Sequence, residues 1–291
     1  MQTEQAIPRS SNIEAREFFF TKSDFDRVCK LIYDHAGISL SASKQEMVYS
    51  RLARRLRVTG LSEFKDYLEL LEQNDVAEWE AFTNSLTTNL TAFFREEHHF
   101  PVLADHVRRF KGTGTISLWC CASSTGEEPY SMAITLAEAF GTLKPPVKIL
   151  ATDIDTNVLA SAEAGVYSMD RLEKMKPERL QRYFRRGTGV HSGKARVRDE
   201  LRSLITFRQL NLLDGSWPVR GPFHAIFCRN VMIYFDKPTQ YAILKKFAPL
   251  LRSDGVMFAG HSESFHHAVD LFRLRGKTVY ELAGKSRTAD H

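Results

Sequence analysis

The sequence lacks a long apolar run. No stretch approaches the roughly 20 consecutive apolar residues that a membrane-spanning helix needs, although 43% of the 291 residues are hydrophobic. That fraction is ordinary for a globular protein with a buried core. Residues 1–16 carry several charges and one proline but no apolar segment, so they do not resemble a signal peptide. We therefore expect a cytoplasmic protein without direct membrane insertion.

Cysteine is also scarce. The four cysteines are Cys29, Cys120, Cys121 and Cys228, and no two of them form a C-x-x-C pair. Cys120 and Cys121 are adjacent in a predicted strand, where successive side chains point to opposite faces. This pattern favours buried, reduced thiols in a cytosolic protein.

Acidic residues are few in one predicted helix near 43–59. Five basic residues and a single acid, Glu46, lie between Lys44 and Arg57. Solvent-exposed helix faces usually mix the two signs, because oppositely charged neighbours one turn apart stabilise the helix. We predict a docking surface for an acidic partner, in line with the net charge of +5; an ordinary solvated face is the alternative. The proposed docking residues are Arg51, Arg54, Arg55 and Arg57.

The region from residue 21 to 90 is predicted to be all helix. Ser23 is a candidate N-cap, apolar residues follow it at helical spacing, and Gly37 closes the helix. Three further helices are predicted near 43–59, 62–73 and 76–86. The segment 83–100 then places hydroxyl and amide side chains beside Phe93 and Phe94, which indicates a loop that lines a ligand site, a hinge between domains, or both.

Residues 116–136 read as a buried strand, a loop of small residues and the start of a helix. Thr125 and Glu128 have the spacing of a capping box. Such a unit commonly holds a nucleotide-like cofactor in α/β proteins. Because the loop has a single glycine, Gly126, a well-capped helix without a ligand is the alternative.

A second predicted strand, 147–152, ends at Asp153, where doubly wound folds place an acid on ribose hydroxyls. Asp155 is better explained as a helix N-cap. A third strand, 223–228, is followed by Arg229 and Asn230, then by helix 237–251 and strands 256–259 and 278–282. Ligands bind beyond the carboxyl ends of such strands, which would gather Glu128, Asp153 and Asn230 on one rim. Residues 182–210, including 205–207, suggest a small antiparallel insertion.

Four separated motifs resemble one family, the CheR-type chemotaxis receptor methyltransferases. They are N-L-T-x-F-F-R at 89–95, S-T-G-E-E-P-Y-S at 124–131, A-T-D-I-D at 151–155 and F-C-R-N-V-M-I-Y-F at 227–235. The resemblance extends over residues 21–283. It implies a helical receptor-docking domain at 21–90 and a Rossmann-like α/β methyltransferase domain at 91–285, with the β insertion at about 182–210. Residues 1–20 and 286–291 would be tails.

The resemblance also implies the chemistry. A methyl group would pass from S-adenosylmethionine to glutamate side chains of bacterial chemoreceptors, leaving S-adenosylhomocysteine and a methyl ester in chemotaxis adaptation. A carboxylate is nucleophilic at neutral pH, so we expect neither a metal nor a strong base. Arg95 and Tyr234 would be catalytic, and Asp153 would hold the ribose. The implied cofactor-binding residues are Asn89, Thr91, Arg95, Glu128, Asp153, Asn211, Leu212, Arg229 and Asn230.

The expected partner is the cytoplasmic domain of chemoreceptors. The arginine helix would face the acidic receptor stalk, and the β insertion would hold a C-terminal receptor peptide. We expect a monomer that binds no nucleic acid. Nucleic-acid methyltransferases that act on amines carry a Pro-Pro-aromatic motif where this sequence has residues 230–234. A second alternative is an adaptor that senses the cofactor without catalysis, which intact Arg95, Asp153 and Tyr234 disfavour.

Overall fold

A computed structural model describes residues 16–73 and 76–284. Of the two predicted tails, 1–20 and 286–291, residues 1–15 and 286–291 lie outside the described residues. Phe20, inside the first predicted tail, is instead 5% exposed and packs in the helical core. Within the described ranges, no helix is both long and apolar enough to cross a bilayer.

The first part of the chain forms four helices. They are α1 (Lys22–Ala36), α2 (Gln45–Thr59), α3 (Phe64–Glu72) and α4 (Val76–Leu86). Their apolar faces meet in one core that contains Val28, Leu52, Phe64, Tyr67 and Phe82, all at most 1% exposed. A helix only 9–15 residues long is marginal by itself, so this shared core holds the four helices in place.

The predicted N-cap of α1 was wrong by two residues. Thr21, not Ser23, caps the helix: its hydroxyl accepts from the Asp24 amide at 3.0 Å, and the Asp24 carboxylate accepts from the Thr21 amide at 2.9 Å. Thr21 is preferred because Asp24 stands three residues later and completes a reciprocal capping box. At the other end, Gly37 adopts a left-handed φ of 68° and ends the helix, as predicted.

The remaining chain alternates strands and helices. In order these are α5 (His99–Arg108), β1 (Ile116–Cys121), α6 (Glu127–Phe140), β2 (Val147–Asp153), α7 (Thr156–Ala164), β3 (Val166–Ser168), α8 (Pro177–Tyr183), β4 (Phe184–Arg186), β5 (Lys194–Val197), α9 (Asp199–Arg202), β6 (Ile205–Gln209), β7 (Phe223–Cys228), α10 (Lys237–Phe247), β8 (Leu251–Phe258), β9 (Phe272–Gly276) and β10 (Val279–Leu282).

Seven of these strands form one sheet in the order β6-β2-β1-β7-β8-β10-β9. Strands β6, β2, β1, β7 and β8 pair in parallel, whereas β10 is antiparallel to both of its neighbours. Side chains of α5, α6 and α7 cover one face, and those of α10 cover the other. The prediction of a doubly wound α/β fold is confirmed. Because the strand order reverses between β1 and β7, that point is where such folds open a ligand crevice.

The small antiparallel sheet differs from its predicted extent. It consists of β3, β5 and β4, and therefore starts at Val166. Residues 205–207, which we had assigned to it, belong to β6 and pair in parallel with β2, with Ile205 opposite Ile149. Ile205 and Phe207 alternate inward and join the main core, and only the open edge of β2 gives them that burial.

Strand β8 also starts earlier than expected. We predicted that residues 253–255 would separate helix 237–251 from a strand at 256–259. Instead α10 ends at Phe247 and β8 runs from Leu251, with an irregular register opposite β7 where Gly255 lies. A bulge in a strand tolerates the glycine that we had interpreted as a stop.

The cysteines behave as expected from strand geometry. Cys120 packs in the core on the α6 side of the sheet, and Cys121 packs in the core on the α10 side. All four cysteines are free thiols, and three of them are buried.

Asp155 joins the helical part to the α/β part. Its carboxylate caps α7 by accepting from the amides of Asn157 and Val158, as predicted. It also accepts from the Thr87 hydroxyl at 2.7 Å and the Asn89 side-chain amide at 2.8 Å. Four donors converge on this one carboxylate, which is only 2% exposed.

We expect Asp155→Ala to lower the free energy of unfolding by about 2–4 kcal/mol, since a cap is lost and the buried Thr87 hydroxyl and the part-buried Asn89 amide lose their acceptor. Chemical denaturation measures this change. Asp155→Asn keeps the shape and one acceptor oxygen, so it should cost less than half as much. Equal effects of the two substitutions would contradict this account of the junction.

Candidate functional site

A cleft of about 1050 Å³, including its open mouth, lies at the carboxyl ends of the central strands. The helical part contributes one wall through Ala36, Ile38, Leu40 and Lys44. The structure brings all ten residues predicted for the cofactor and catalytic site to this cleft. They are Asn89, Thr91, Arg95, Glu128, Asp153, Asn211, Leu212, Arg229, Asn230 and Tyr234.

The loop between β1 and α6 forms the floor of the cleft through a tight backbone path. Ala122, Ser124 and Gly126 all have positive φ, at 59°, 49° and 96°. At Gly126 a side chain is excluded, since a Cβ there would lie 2.8 Å from the Ala162 Cβ and from the Tyr167 hydroxyl. This path lets the loop approach α7 and β3 closely.

The predicted capping box at Thr125 and Glu128 does not form. Gly126 is the N-cap of α6 and has no side-chain cap, while the Thr125 hydroxyl donates to Glu127 at 2.7 Å. Glu128 turns instead to the buried guanidinium of Arg229. A charge-assisted hydrogen bond between buried groups outweighs a local cap, which explains the difference.

Asp153 is held rigidly at the end of β2. Its carboxylate accepts from the Ser124 amide at 2.8 Å and from the Asp155 amide at 3.0 Å. Burial raises the pKa of Asp153 to about 6, and the backbone hydrogen bonds only partly offset that rise. An ionised carboxylate has about four lone-pair sites, so capacity remains for hydroxyl groups of a ligand in the cleft.

Arg229 connects three parts of the site. The residue is 4% exposed and donates from Nη1 to Glu128. Its Nη2 donates to the Arg95 carbonyl at 2.6 Å and lies 3.3 Å from the Glu96 carboxylate. Burial by itself raises the pKa of Glu96, but the Arg229 charge and hydrogen bonds from His261 and Asn230 overcome it and hold that pKa at about 2.

The loop after β7 depends on a residue that the sequence analysis missed. Glu263 is 5% exposed, and its carboxylate accepts from the amides of Asn230 at 2.9 Å, Met232 at 2.8 Å and Gly260 at 2.5 Å. These bonds hold Asn230 at a φ of 59°. No periodicity marks Glu263; an acid just after a strand end was the one available signal.

Glu96 was missed as well, although it directly follows the 89–95 motif. A sequence gives no sign that this carboxylate, rather than its neighbour Glu97, turns inward. The structure leaves Glu97 exposed, whereas the Glu96 side chain is mostly buried.

The helical part touches the cleft segments directly. The Asn211 side-chain amide donates to the His35 carbonyl at 2.8 Å, and the Tyr33 hydroxyl donates to Asp236 at 2.8 Å. Near the mouth, the Lys44 Nζ lies 5.9 Å from the centre of the Tyr234 ring. Among the described residues, the Arg95 guanidinium makes one hydrogen bond, from Nη1 to the Leu90 carbonyl at 3.0 Å, which leaves most of its donors for a ligand.

The arginine helix is α2, and its surface does not carry charge of one sign as we expected. Arg55 makes a two-pronged bond to buried Glu78, and Arg51 donates to the carbonyls of Ser85 and Thr87. Arg57 pairs with exposed Glu17. Arg54 is exposed and has no ion pair with another described residue. Acids distant in sequence neutralise part of the face, so the helix sequence alone overstated its free charge.

The cleft fits a nucleoside bearing an amino-acid chain. It combines a buried acid at the end of β2, the apolar side chains of Ile154, Leu210 and Leu212, and fixed polar groups at Glu128 and Arg229. The fold and this site define the class of S-adenosylmethionine-dependent methyltransferases. Residues 89–281 match the family described as CheR methyltransferase, SAM binding domain, and residues 23–87 match its all-alpha domain. The chain belongs to the CheR methyltransferase family.

Curated relatives are similar over nearly their whole length. A chemotaxis protein methyltransferase of Salmonella typhimurium and one of Escherichia coli are each 57% identical, over 89% of this chain and 90% of theirs. Chemotaxis protein methyltransferase 2 of Pseudomonas aeruginosa is 54% identical, over 92% of this chain and 96% of that protein. The predicted enzyme class and cofactor are thus confirmed.

Proposed function

We propose that this enzyme methylates glutamate side chains on the cytoplasmic domain of chemoreceptors and forms methyl esters there. The observation that carries the proposal is a cleft with two polar side chains, Arg95 and Tyr234, at the same opening as the buried acid Asp153. The relatives named above are chemotaxis methyltransferases, which supports receptors as the acceptor.

In this proposal, the inner cleft holds the cofactor. Asp153 accepts from the ribose hydroxyls, because its buried carboxylate has free lone pairs. Arg229 with Asn230, and Asn211 with Leu212, border the amino-acid and adenine parts. When bound, S-adenosylmethionine supplies a methyl group on a positively charged sulfur. The remaining proposed contacts to the cofactor come from Asn89, Thr91, Arg95 and Glu128.

The outer cleft then holds the acceptor. Arg95 offers a planar, permanently charged fork that matches a carboxylate, and the Tyr234 hydroxyl orients the same group. A glutamate carboxylate is ionised at neutral pH and needs no deprotonation, so alignment of the reacting atoms is the main requirement. Accordingly no residue is assigned as a general base.

The receptor is recognised through two surfaces in this proposal. The helical domain, residues 21–90, docks on the acidic receptor stalk through the arginine helix, with Arg54 and Arg57 as its exposed members. The sheet of β3, β5 and β4 holds a C-terminal receptor peptide. The enzyme acts as a monomer in the cytoplasm, where the methylated part of the receptor lies.

Incubation with labelled S-adenosylmethionine and receptor-containing membranes tests the function. We expect label on the receptors that is released as methanol by mild base, as methyl esters require. Base-stable label would indicate an amine acceptor. Binding of S-adenosylhomocysteine without any label transfer would instead favour the cofactor-sensing adaptor.

Cofactor affinity should depend on Asp153 and on pH. Asp153→Ala should weaken S-adenosylhomocysteine binding at least tenfold, since each lost bond to a charged acceptor costs about 1.5–3 kcal/mol. The ribose favours the ionised carboxylate, so protons compete with the ligand. With a free-protein pKa of about 6, affinity should be constant above pH 7 and fall up to tenfold per unit below pH 6.

Calorimetry between pH 5 and 8 measures this dependence. Asp153→Asn, which cannot titrate, should bind weakly and show a much flatter pH profile. A wild-type profile in Asp153→Asn would assign the titration to another group.

Receptor methylation should be sensitive to charge at Arg54 and Arg57. Reversing both to Glu should lower kcat/KM for receptors at least fivefold while affinity for S-adenosylhomocysteine stays within twofold, and the loss should shrink at high salt. The matched control reverses Arg108, the last residue of α5, and Lys111, three residues beyond it. Equal losses in the two double variants would mean that net charge, not this surface, matters.

The Tyr234 hydroxyl should matter for transfer more than for cofactor binding. Tyr234→Phe should slow single-turnover methyl transfer about tenfold or more and leave cofactor affinity within twofold. Arg95→Lys keeps the charge but loses the fork, and should also slow transfer. Tyr241→Phe, which removes a hydroxyl bonded to Asp270 outside the cleft, serves as the control. A normal rate for Tyr234→Phe would restrict that side chain to packing.

A further inference from the structure

Arg95 lies between two residues with an unusual backbone. Phe94 and Glu96 both have a φ of 54°. Residues other than glycine rarely adopt this left-handed conformation, and they keep it only where their surroundings impose it. The turn that carries the Arg95 side chain therefore needs external support.

Two neighbouring elements supply part of that support. Before Arg95, the Phe94 amide donates at 2.9 Å to the hydroxyl of Ser131, a fully buried residue of α6. After the Arg95 α-carbon, its own carbonyl accepts from Arg229 at 2.6 Å. The turn is thus fastened on both sides.

Glu96 completes the support from within the turn. Its carboxylate lies 3.3 Å from Arg229 Nη2, accepts from the Asn230 side-chain amide at 3.2 Å, and lies 3.2 Å from His261 Nδ1. The Glu96 side chain is 10% exposed and stays ionised, with a pKa of about 2. Two other segments of the chain, 229–230 and the one that carries His261, therefore meet the turn at this carboxylate.

Glu96 is not among the described residues that line the cleft, whereas its partners Arg229 and Asn230 are. Its effect on the reaction must then be indirect. A carboxylate that anchors a strained turn next to the acceptor-binding fork can fix the direction of that fork.

We propose that Glu96 is a positioning residue: by binding Arg229 and Asn230 it holds the strained turn that directs the Arg95 guanidinium toward the acceptor carboxylate. The inference rests on the acceptor role proposed for Arg95. Glu96 would thus contribute to catalysis without contacting either the acceptor or the cofactor.

A double-mutant cycle with Glu96→Gln and Arg95→Lys tests the proposal. Glutamine keeps the size and one acceptor oxygen but loses the charge that pairs with Arg229. Single-turnover methyl transfer to receptors, at saturating S-adenosylmethionine, is measured for wild type, both single variants and the double variant. Glu97→Gln is the matched control, since Glu97 is the exposed neighbour.

We expect Glu96→Gln to slow transfer at least tenfold in the wild-type background but less than threefold in Arg95→Lys. Affinity for S-adenosylhomocysteine should fall by less than the transfer rate does, because Arg229 keeps Glu128 and the Arg95 carbonyl as partners. Glu97→Gln should stay within twofold of the wild-type rate. If Glu96→Gln fails to fold, Glu96→Asp keeps the charge on a shorter chain, and its rate should exceed one tenth of wild type.

Several outcomes would overturn the inference. Equal losses from Glu96→Gln in both backgrounds would show that Glu96 acts independently of Arg95. A parallel loss of cofactor affinity would assign Glu96 to cofactor binding. A wild-type rate for Arg95→Lys would reject the acceptor role of Arg95, and with it this inference. A slow Arg95→Lys, combined with equal losses from Glu96→Gln in both backgrounds, would reject the role of Glu96 alone.

Discussion

The buried guanidinium of Arg229 is the constraint around which the site is built. A charge removed from water must be paired, because an unpaired one costs several kcal/mol. Glu128 of α6, the Glu96 carboxylate and the Arg95 carbonyl all pair with the Arg229 guanidinium. Satisfying one charge therefore brings two distant segments, α6 and residues 95–96, to Arg229 at the same end of the sheet. The cleft is the space that remains between them.

The two acids of the 151–155 motif divide the work of structure and binding. The Asp155 carboxylate caps α7 and accepts hydrogen bonds from Thr87 and Asn89. Asp153 accepts two backbone amides and keeps lone pairs for the cleft. Asp155 binds the start of the segment 87–95, and Arg229 binds the Arg95 carbonyl at its end. The segment that leads from the helical part to Arg95 is therefore held at both ends.

The helical part is a wall of the site as well as a candidate docking surface. Asn211 donates to His35, and Ala36, Ile38, Leu40 and Lys44 line the cleft. Within this part, Arg55 and Arg51 bind Glu78 and backbone carbonyls, so half of the arginines on α2 have a structural task. Helix α2 begins directly after Lys44, which lines the cleft, so the wall of the cleft and the candidate docking surface belong to the same helical part.

The sequence by itself determined many of the strands and helix ends and the motifs of the site. Spacing of apolar residues located the sheet strands at 116–121 and 223–228, and Gly37 and Asp155 marked helix ends because their roles are local. The four motifs contain eight of the ten predicted site residues that share one cleft, and the family resemblance added Asn211 and Leu212. Tertiary structure decided which partner each group took. Glu128 binds Arg229 instead of capping α6, and Glu78 neutralises Arg55. Ile205 pairs with β2, and the carboxylates of Glu96 and Glu263 turn inward. Local patterns cannot rank these choices, because burial and charge pairing between distant segments set their energies.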